Sequence, residues 1–318
     1  MSAVPPEIAR LHARAVRLEW WTVVWIASIV VVMGLVAGGS QAMRTAWIED
    51  ILSLVPAIVF LIAARFERRE PNARFPFGFA RAHSLAFLIS AVALAATGSI
   101  LLVESALTLI HADHATVAGI TLFGQQIWQG WLMIAALIYS SIPPLILGRM
   151  KLPLARAMSD KVLHTDAMMQ KADWMTGLAG VGGIIGLGLG WWWADAAAAA
   201  VISASILHDG IRALGIAAAE LIDGAPRALD SDDVAEDARA LHAALDARYP
   251  GTEVRMRETG RMIHAVVVGA RPEATIDGDA IWPGPPDRRW RLEQIGFVPP
   301  GGDQPETDDA AGAGAGIR

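Results

Sequence analysis

The sequence predicts an α-helical membrane protein: six transmembrane helices followed by a small cytoplasmic α/β C-terminal domain. Three observations carry this reading. The chain of 318 residues is 54% hydrophobic and only 18% charged, with a mean hydropathy of +0.41, whereas soluble domains carry about 25% charged residues. Six stretches are apolar over the roughly 20 residues that a bilayer crossing needs. Lys and Arg gather in alternate connections between those stretches, the asymmetry that sets topology in membrane proteins.

The predicted spans are 19–38, 42–64, 84–110, 127–148, 162–188 and 192–216. Trp residues, which favour the membrane interface, mark their ends. Trp47, Trp128, Trp131 and Trp191–Trp193 belong to one face, and Trp20 and Trp21 to the other. The second face also collects Arg10, Arg14, Arg17, Arg65, Arg68, Arg69, Arg74, Arg81, Arg149, Lys151, Arg156 and Lys161. The first has Arg44 alone, and the loop from His111 to Gln126 has no Lys or Arg. Both termini are therefore expected in the cytoplasm, with the chain in the cell membrane.

Residues 1–18 form a polar, Arg-rich cytoplasmic segment without a small-residue cleavage site, so no cleaved signal peptide is expected. The transmembrane domain is expected over 19–220, and the composition changes abruptly near Pro226. Within 226–300, Ser231–Tyr249 is acidic, with Val234, Leu241 and Leu245 at helical spacing. Glu253–Glu258 and Arg261–Val268 read as strands joined by a turn at Thr259-Gly260, and Arg288–Phe297 offers one more element. The low-complexity stretch 301–318 is expected to be disordered.

Composition also excludes several functions. The chain has no Cys, which removes disulfides, thiolate metal sites and cysteine nucleophiles. A net charge of −6 gives no sign of nucleic-acid binding. No phosphate-cradling G-x-x-x-x-G-K-[ST] loop is present, which argues against an ATP-driven pump. Neither a Ser/His/Asp arrangement nor a zinc-protease motif supports a membrane-embedded hydrolase.

Ionisable groups are costly in hydrocarbon and mark polar pathways. Glu49 and Asp50 interrupt the second span, and Ser53 lies one turn on; residues at i and i+4 share a helix face. The fifth span holds His164, Asp166, Gln170, Lys171 and Asp173, with Asp166, Gln170 and Asp173 at i, i+4 and i+7. Met169 and Asp173 form a further i, i+4 pair. At 1.5 Å per residue Asp173 lies roughly 18 Å beyond Lys161, near mid-membrane. Acids on two helices at one depth suit a divalent cation, with His164 nearby.

Plainer readings stand beside these. Glu49 and Asp50 are near Arg44 and suit the interface, His164 and Asp166 suit a helix entry, and Met169 suits packing. Glu104, His111, Asp113 and His114 fit a solvated outer loop as well as a cation-attracting one. Asp209, Arg212, Glu220 and Asp223 read as charges leaving the sixth span, and His242 and His264 as isolated structural residues.

Three stretches resemble the cation diffusion facilitators. Phe75-Pro-Phe-Gly-Phe-Ala-Arg-Ala-His-Ser-Leu85 is similar to that family's Gly-x-x-(Lys/Arg)-x-x-Ser-Leu entry to its third helix. Asp166-Ala-Met-Met-Gln-Lys-Ala-Asp173, followed by Trp-Met-Thr-Gly, resembles its fifth-helix signature. Trp193-Ala-Asp195, His208-Asp-Gly-Ile-Arg212 and Glu220-Leu-Ile-Asp223 resemble its sixth helix and exit.

The resemblance implies a homodimer in lipid that exports divalent metal cations in exchange for protons. There the metal is cargo, and no bound cofactor is expected. The family's acid-x-x-x-Asp pair on helix two falls on Glu49 and Ser53, and its His/Asp-x-x-x-Asp pair on helix five falls on Met169 and Asp173. Only two of these four positions are carboxylates, and none is the His that a tetrahedral zinc site favours. Asp50, Asp166 or Gln170 offer compensation in a wider oxygen-rich site suited to manganese or iron, and zinc stays open. Phe75 and Phe79 stand where metal-binding members place histidines, and the C-terminal region lacks clustered His. The alternative is a transport-weakened member acting as a metal sensor or structural partner.

Overall fold

Apolar runs without water to bond their backbone must satisfy it internally, which makes helices the spanning structure. In the computed structural model residues 5–36, 41–111, 119–122, 125–191, 193–271 and 281–300 are described. Six long helices occupy the predicted spans: α1 (Pro6–Val36), α2 (Gln41–Glu67), α3 (Arg81–His111), α4 (Gln129–Met158), α5 (Lys161–Gly188) and α6 (Ala194–Leu221). Among the described residues, α1, α2, α3 and α6 are long and apolar enough to cross a membrane on those grounds alone. The charges of α4 and α5 lie mostly toward the basic end, where Lys151 and Asp166 are paired.

Several boundaries depart from the sequence reading. α1 begins at Pro6 rather than near 19, because Ile8, Ala15 and Leu18 form a helical stripe beneath the arginines. That stripe packs with Phe60, Ala63 and Ala64 of α2 and with Leu154, Ala155 and Met158 of α4. α4 runs past 148 to Met158. The expected loop 111–126 and the start of the 127–148 span instead contain a hairpin, β1 (Gly119–Leu122) against β2 (Gln125–Trp128). Asp113, His114 and the stretch 301–318 lie outside the described residues.

α3 and α6 touch backbone to backbone at two glycines. A Cβ on Gly98 would lie 2.5 Å from the Leu207 nitrogen, and one on Gly210 2.6 Å from the Ala95 Cα. Main chain on the receiving side cannot swing away, so added volume must separate the helices. Gly210→Val is therefore expected to destabilise by about 2 kcal/mol or more, the cost of overpacking a tight core. Thermal unfolding followed by tryptophan fluorescence checks this. Gly215→Ala, which meets nothing within 4 Å, is the control. Equal melting temperatures for both would refute the close approach.

The C-terminal α/β unit comprises α7 (Glu236–Arg248), β3 (Glu253–Thr259), β4 (Met262–Val268), a 3-10 turn (Pro286–Arg291) and β5 (Leu292–Val298). The sheet order is β3-β4-β5, antiparallel then parallel. Alternation along β4 buries Ile263, Ala265 and Val267 against Leu241, Leu245 and Tyr249. α7 starts five residues later than the acidic pattern promised, because Arg227 and Val234 pair in a bridge before it. The turn falls on Gly260 and Arg261, with Gly260 at φ +62°. A Cβ there would lie 2.9 Å from the Ala80 carbonyl oxygen, so the hairpin tip sits directly on the start of α3.

Candidate functional site

Among the described residues, α2 and α5 are joined by a side-chain hydrogen bond: Ser53 Oγ donates to Asp173 Oδ1 at 2.7 Å. Ser53 is buried and Asp173 partly so. Glu49 and Asp50 lie one turn earlier on α2, both half-buried. Glu49 feels the charges of Glu104, Asp173 and Asp50, and Asp173 feels that of Asp50. The structure thus brings Ser53 and Asp173 into contact and leaves Glu49 and Asp50 within electrostatic reach of them.

Pro56 follows Ser53 inside α2. Proline has no N–H to donate, so the Leu52 carbonyl loses its usual helical partner beside the site. This oxygen was not singled out from the sequence, although a proline one turn past a buried polar residue was the available signal. Met169 is fully buried in an apolar cluster with Ala93 and Leu94 of α3, Ala172 of α5 and Ile206 of α6. Among the described residues no three of His, Asp and Glu are gathered closely enough to enclose an ion.

Two residues offered as compensating ligands are engaged elsewhere. Asp166 is fully buried and paired with Lys151, which also donates to Glu19 at 2.8 Å. Gln170 donates to Asp166 at 3.0 Å and to Thr22 at 3.1 Å. Asp166 is therefore not a solvated helix-entry residue, and Lys151 is not a loop charge. The i, i+4, i+7 count places Asp166 and Gln170 on the face of Asp173, but Asp166 lies about 10.5 Å lower along α5, where it meets Lys151 of α4 instead of Ser53 of α2. His164 is half-buried and lies about 13.5 Å from Asp173 along α5. It lines a cleft of about 300 Å³ with Arg156, Arg227, Glu236 and Arg288 instead.

The basic end of the bundle is locked to the α/β unit by buried charges. Lys161 at the start of α5 bonds Glu258 of β3 at 2.5 Å and Glu220 of α6 at 3.2 Å. Glu220 also accepts from Ser84 at 2.5 Å and from the Gly260 N–H at 3.2 Å. It stands in the last turn of α6, where the sixth span ends, but is buried and paired there. Arg291 bonds Glu258 at 3.0 Å and pairs with Asp237. Arg261 bonds Glu67 at 2.9 Å, and His83 bonds Asp160 at 2.9 Å. Burial alone would raise the Asp160 carboxyl, but His83, Arg261 and the Leu163 N–H hold it well below the usual carboxylate range. Asp223, by contrast, is exposed and bridges Arg81 at 2.5 Å and Arg257 at 3.2 Å.

The rings of Phe75 and Phe79 meet at a tilt with centroids 4.9 Å apart, and Phe79 meets Phe66 at 5.9 Å. The loop after α2 is thus an aromatic turn. In the α/β unit His264 lies 3.3 Å from Glu293, so it is not isolated.

These observations define a bundle with an acid–hydroxyl contact between α2 and α5. A model of the cation efflux transmembrane domain matches residues 20–222, from within α1 to the residue after α6. That match covers more than half of the chain and includes both helices of the contact, so the protein belongs to the cation efflux family of multi-pass membrane transporters.

Proposed function

We propose that the protein exports divalent metal cations from the cytoplasm in exchange for protons, through a site built by α2 and α5. Asp173 and Glu49 supply the charge, Ser53 and Asp50 further oxygens, and Met169 a soft neighbour from the apolar wall. The observation that supports this most is the Ser53–Asp173 hydrogen bond, which couples the two helices within the family's transport domain. Oxygen-rich donors fit manganese or iron, and zinc would make do without imidazole.

In this cycle a cytoplasm-facing state takes the cation onto deprotonated Glu49 and Asp173. Ser53 holds the Asp173 carboxylate in place by the hydrogen bond seen here. The outward-facing state admits protons, which compete for the same oxygens and release the cation. Metal affinity and ligand deprotonation are thermodynamically linked, which gives the exchange its driving force. Both termini and the α/β unit face the cytoplasm, in the cell membrane, and two copies work as a homodimer.

The test is proton flux in pH-gradient vesicles containing the purified protein, with zinc, manganese, iron, cobalt and cadmium supplied in turn. Flux with manganese or iron above zinc is the expected result. Silence across the panel from folded protein would overturn the transport reading. The dispersed ligand set among the described residues would then favour a metal sensor or structural partner, recognisable by metal binding without flux.

A further inference from the structure

The proposed transport site makes no use of a charge cluster one layer toward the basic end. Glu19 of α1, Lys151 of α4 and Asp166 of α5 have fully buried side chains. Lys151 Nζ donates to Glu19 Oε2 at 2.8 Å and also to Asp166 Oδ2. Gln170 Nε2 donates to that same Asp166 oxygen at 3.0 Å and to Thr22 Oγ1 at 3.1 Å. Three helices therefore meet on one ammonium group inside an apolar bundle.

The charges do not balance. Two carboxylates face one ammonium, which leaves one negative charge where water does not reach. Uncompensated charge in such a place is strongly disfavoured, as when one partner of a buried ion pair is removed. Asp160 toward the basic end acts on Glu19, and Asp173 toward the midplane interacts with Asp166 and Lys151. Both are acids, so neither supplies the missing positive charge.

The hydrogen bonds fall short in the same direction. Glu19 Oε1, Asp166 Oδ1 and Gln170 Oε1 are buried without a partner. All three are acceptors, and buried polar atoms are normally satisfied. The cluster thus lacks one positive charge and at least one donor. A single proton on a carboxyl provides both, because a protonated carboxyl is neutral and donates through its O–H.

We propose that Glu19, Lys151 and Asp166 form a proton-binding site separate from the transport carboxylates, holding one proton on the Glu19–Asp166 pair while Lys151 bridges it. Its part in the exchange cycle rests on the transport reading; the proton itself does not. The proton fixes α1, α4 and α5 around Lys151, and its loss leaves a buried negative charge that loosens that junction.

Infrared spectroscopy of the metal-free protein in lipid at neutral pH tests this through the deuterium-sensitive C=O stretch of protonated carboxyls. Glu19→Gln and Asp166→Asn should each lower that band by one carboxyl, because each leaves one carboxylate neutralised by Lys151. Lys151→Met should raise it by one, since two carboxylates without the ammonium need two protons. The decrement from Glu19→Gln should persist in an Asp173→Asn background. Amplitudes unchanged in both Glu19→Gln and Asp166→Asn would overturn the inference. So would a wild-type spectrum without the band, which requires no variant to fold. Because no metal is present, failure of the transport assay leaves this readout untouched.

Discussion

Asp173→Asn is expected to reduce metal-driven proton flux by more than about 100-fold while leaving insertion and melting temperature near wild type. Groups that merely support a ligand cost about 10–100-fold in metal affinity or activity when removed, so a ligand should cost at least the upper end of that range. The substitution is chosen because it separates charge from shape. Asn keeps an oxygen to accept the 2.7 Å hydrogen bond from Ser53, so the α2–α5 contact survives. What it loses is the negative charge that would bind the cation in the proposed cycle and the proton-accepting oxygen that would couple the two fluxes. Flux is read in pH-gradient vesicles matched for protein content, and binding by calorimetry in detergent. Wild-type flux in folded Asp173→Asn would remove this residue from the mechanism. Lost flux with retained metal binding would place Asp173 in proton coupling alone.

The helices were legible because each apolar run is long and because the basic residues alternate in sequence. The start of α1 was not, since counting arginines between residues 10 and 17 hides the stripe of Ile8, Ala15 and Leu18 beneath them. Acids at one depth suggested that α2 and α5 face each other, and the resemblance named Ser53 and Asp173 among the positions of one site; the hydrogen bond between them was not itself foreseen. The fate of Asp166 did not follow, because helical periodicity gives the face of a residue but not which neighbouring helix stands opposite it at its own height. Its partner Lys151 also lies in a run of bases that reads as ordinary topology signal. Long-range pairing is the missing information throughout: Lys161 with Glu258, 97 residues away, has no local signature. Glu220 likewise looks like a helix-exit charge until the Gly260 hairpin is placed against it.

That junction carries the second large effect. Lys161→Met should destabilise the protein by about 3–5 kcal/mol at neutral pH, the cost of removing one partner from a buried ion pair. Lys161 is 4% exposed and stands between Glu220 and Glu258, so its loss leaves two buried carboxylates with Arg291 as the remaining cation, bonded to Glu258 at 3.0 Å. Burial already pushes the Glu258 carboxyl up, against the pull of Lys161 and Arg291. Removing Lys161 removes part of the pull and raises it further. A carboxyl whose folded value exceeds its unfolded value favours the folded state least when ionised, so the deficit grows as pH rises through that folded value. It shrinks as pH falls, because protonation neutralises the unpaired acid. Thermal unfolding of wild type and variant between pH 5 and 8 should therefore show melting curves that converge on the acid side. A deficit independent of pH would mean that Lys161 acts through packing, including its position 5.8 Å from the Phe87 ring, rather than through charge. Lys161→Met combined with Glu220→Gln and Glu258→Gln removes the unpaired acids and should recover most of the loss. The same triple variant gives a test of coupling, since it keeps the fold while replacing the ionic link between the helix ends and β3 with neutral contacts. If the α/β unit transmits its state to α5 through that link, flux should fall in this variant even though stability returns.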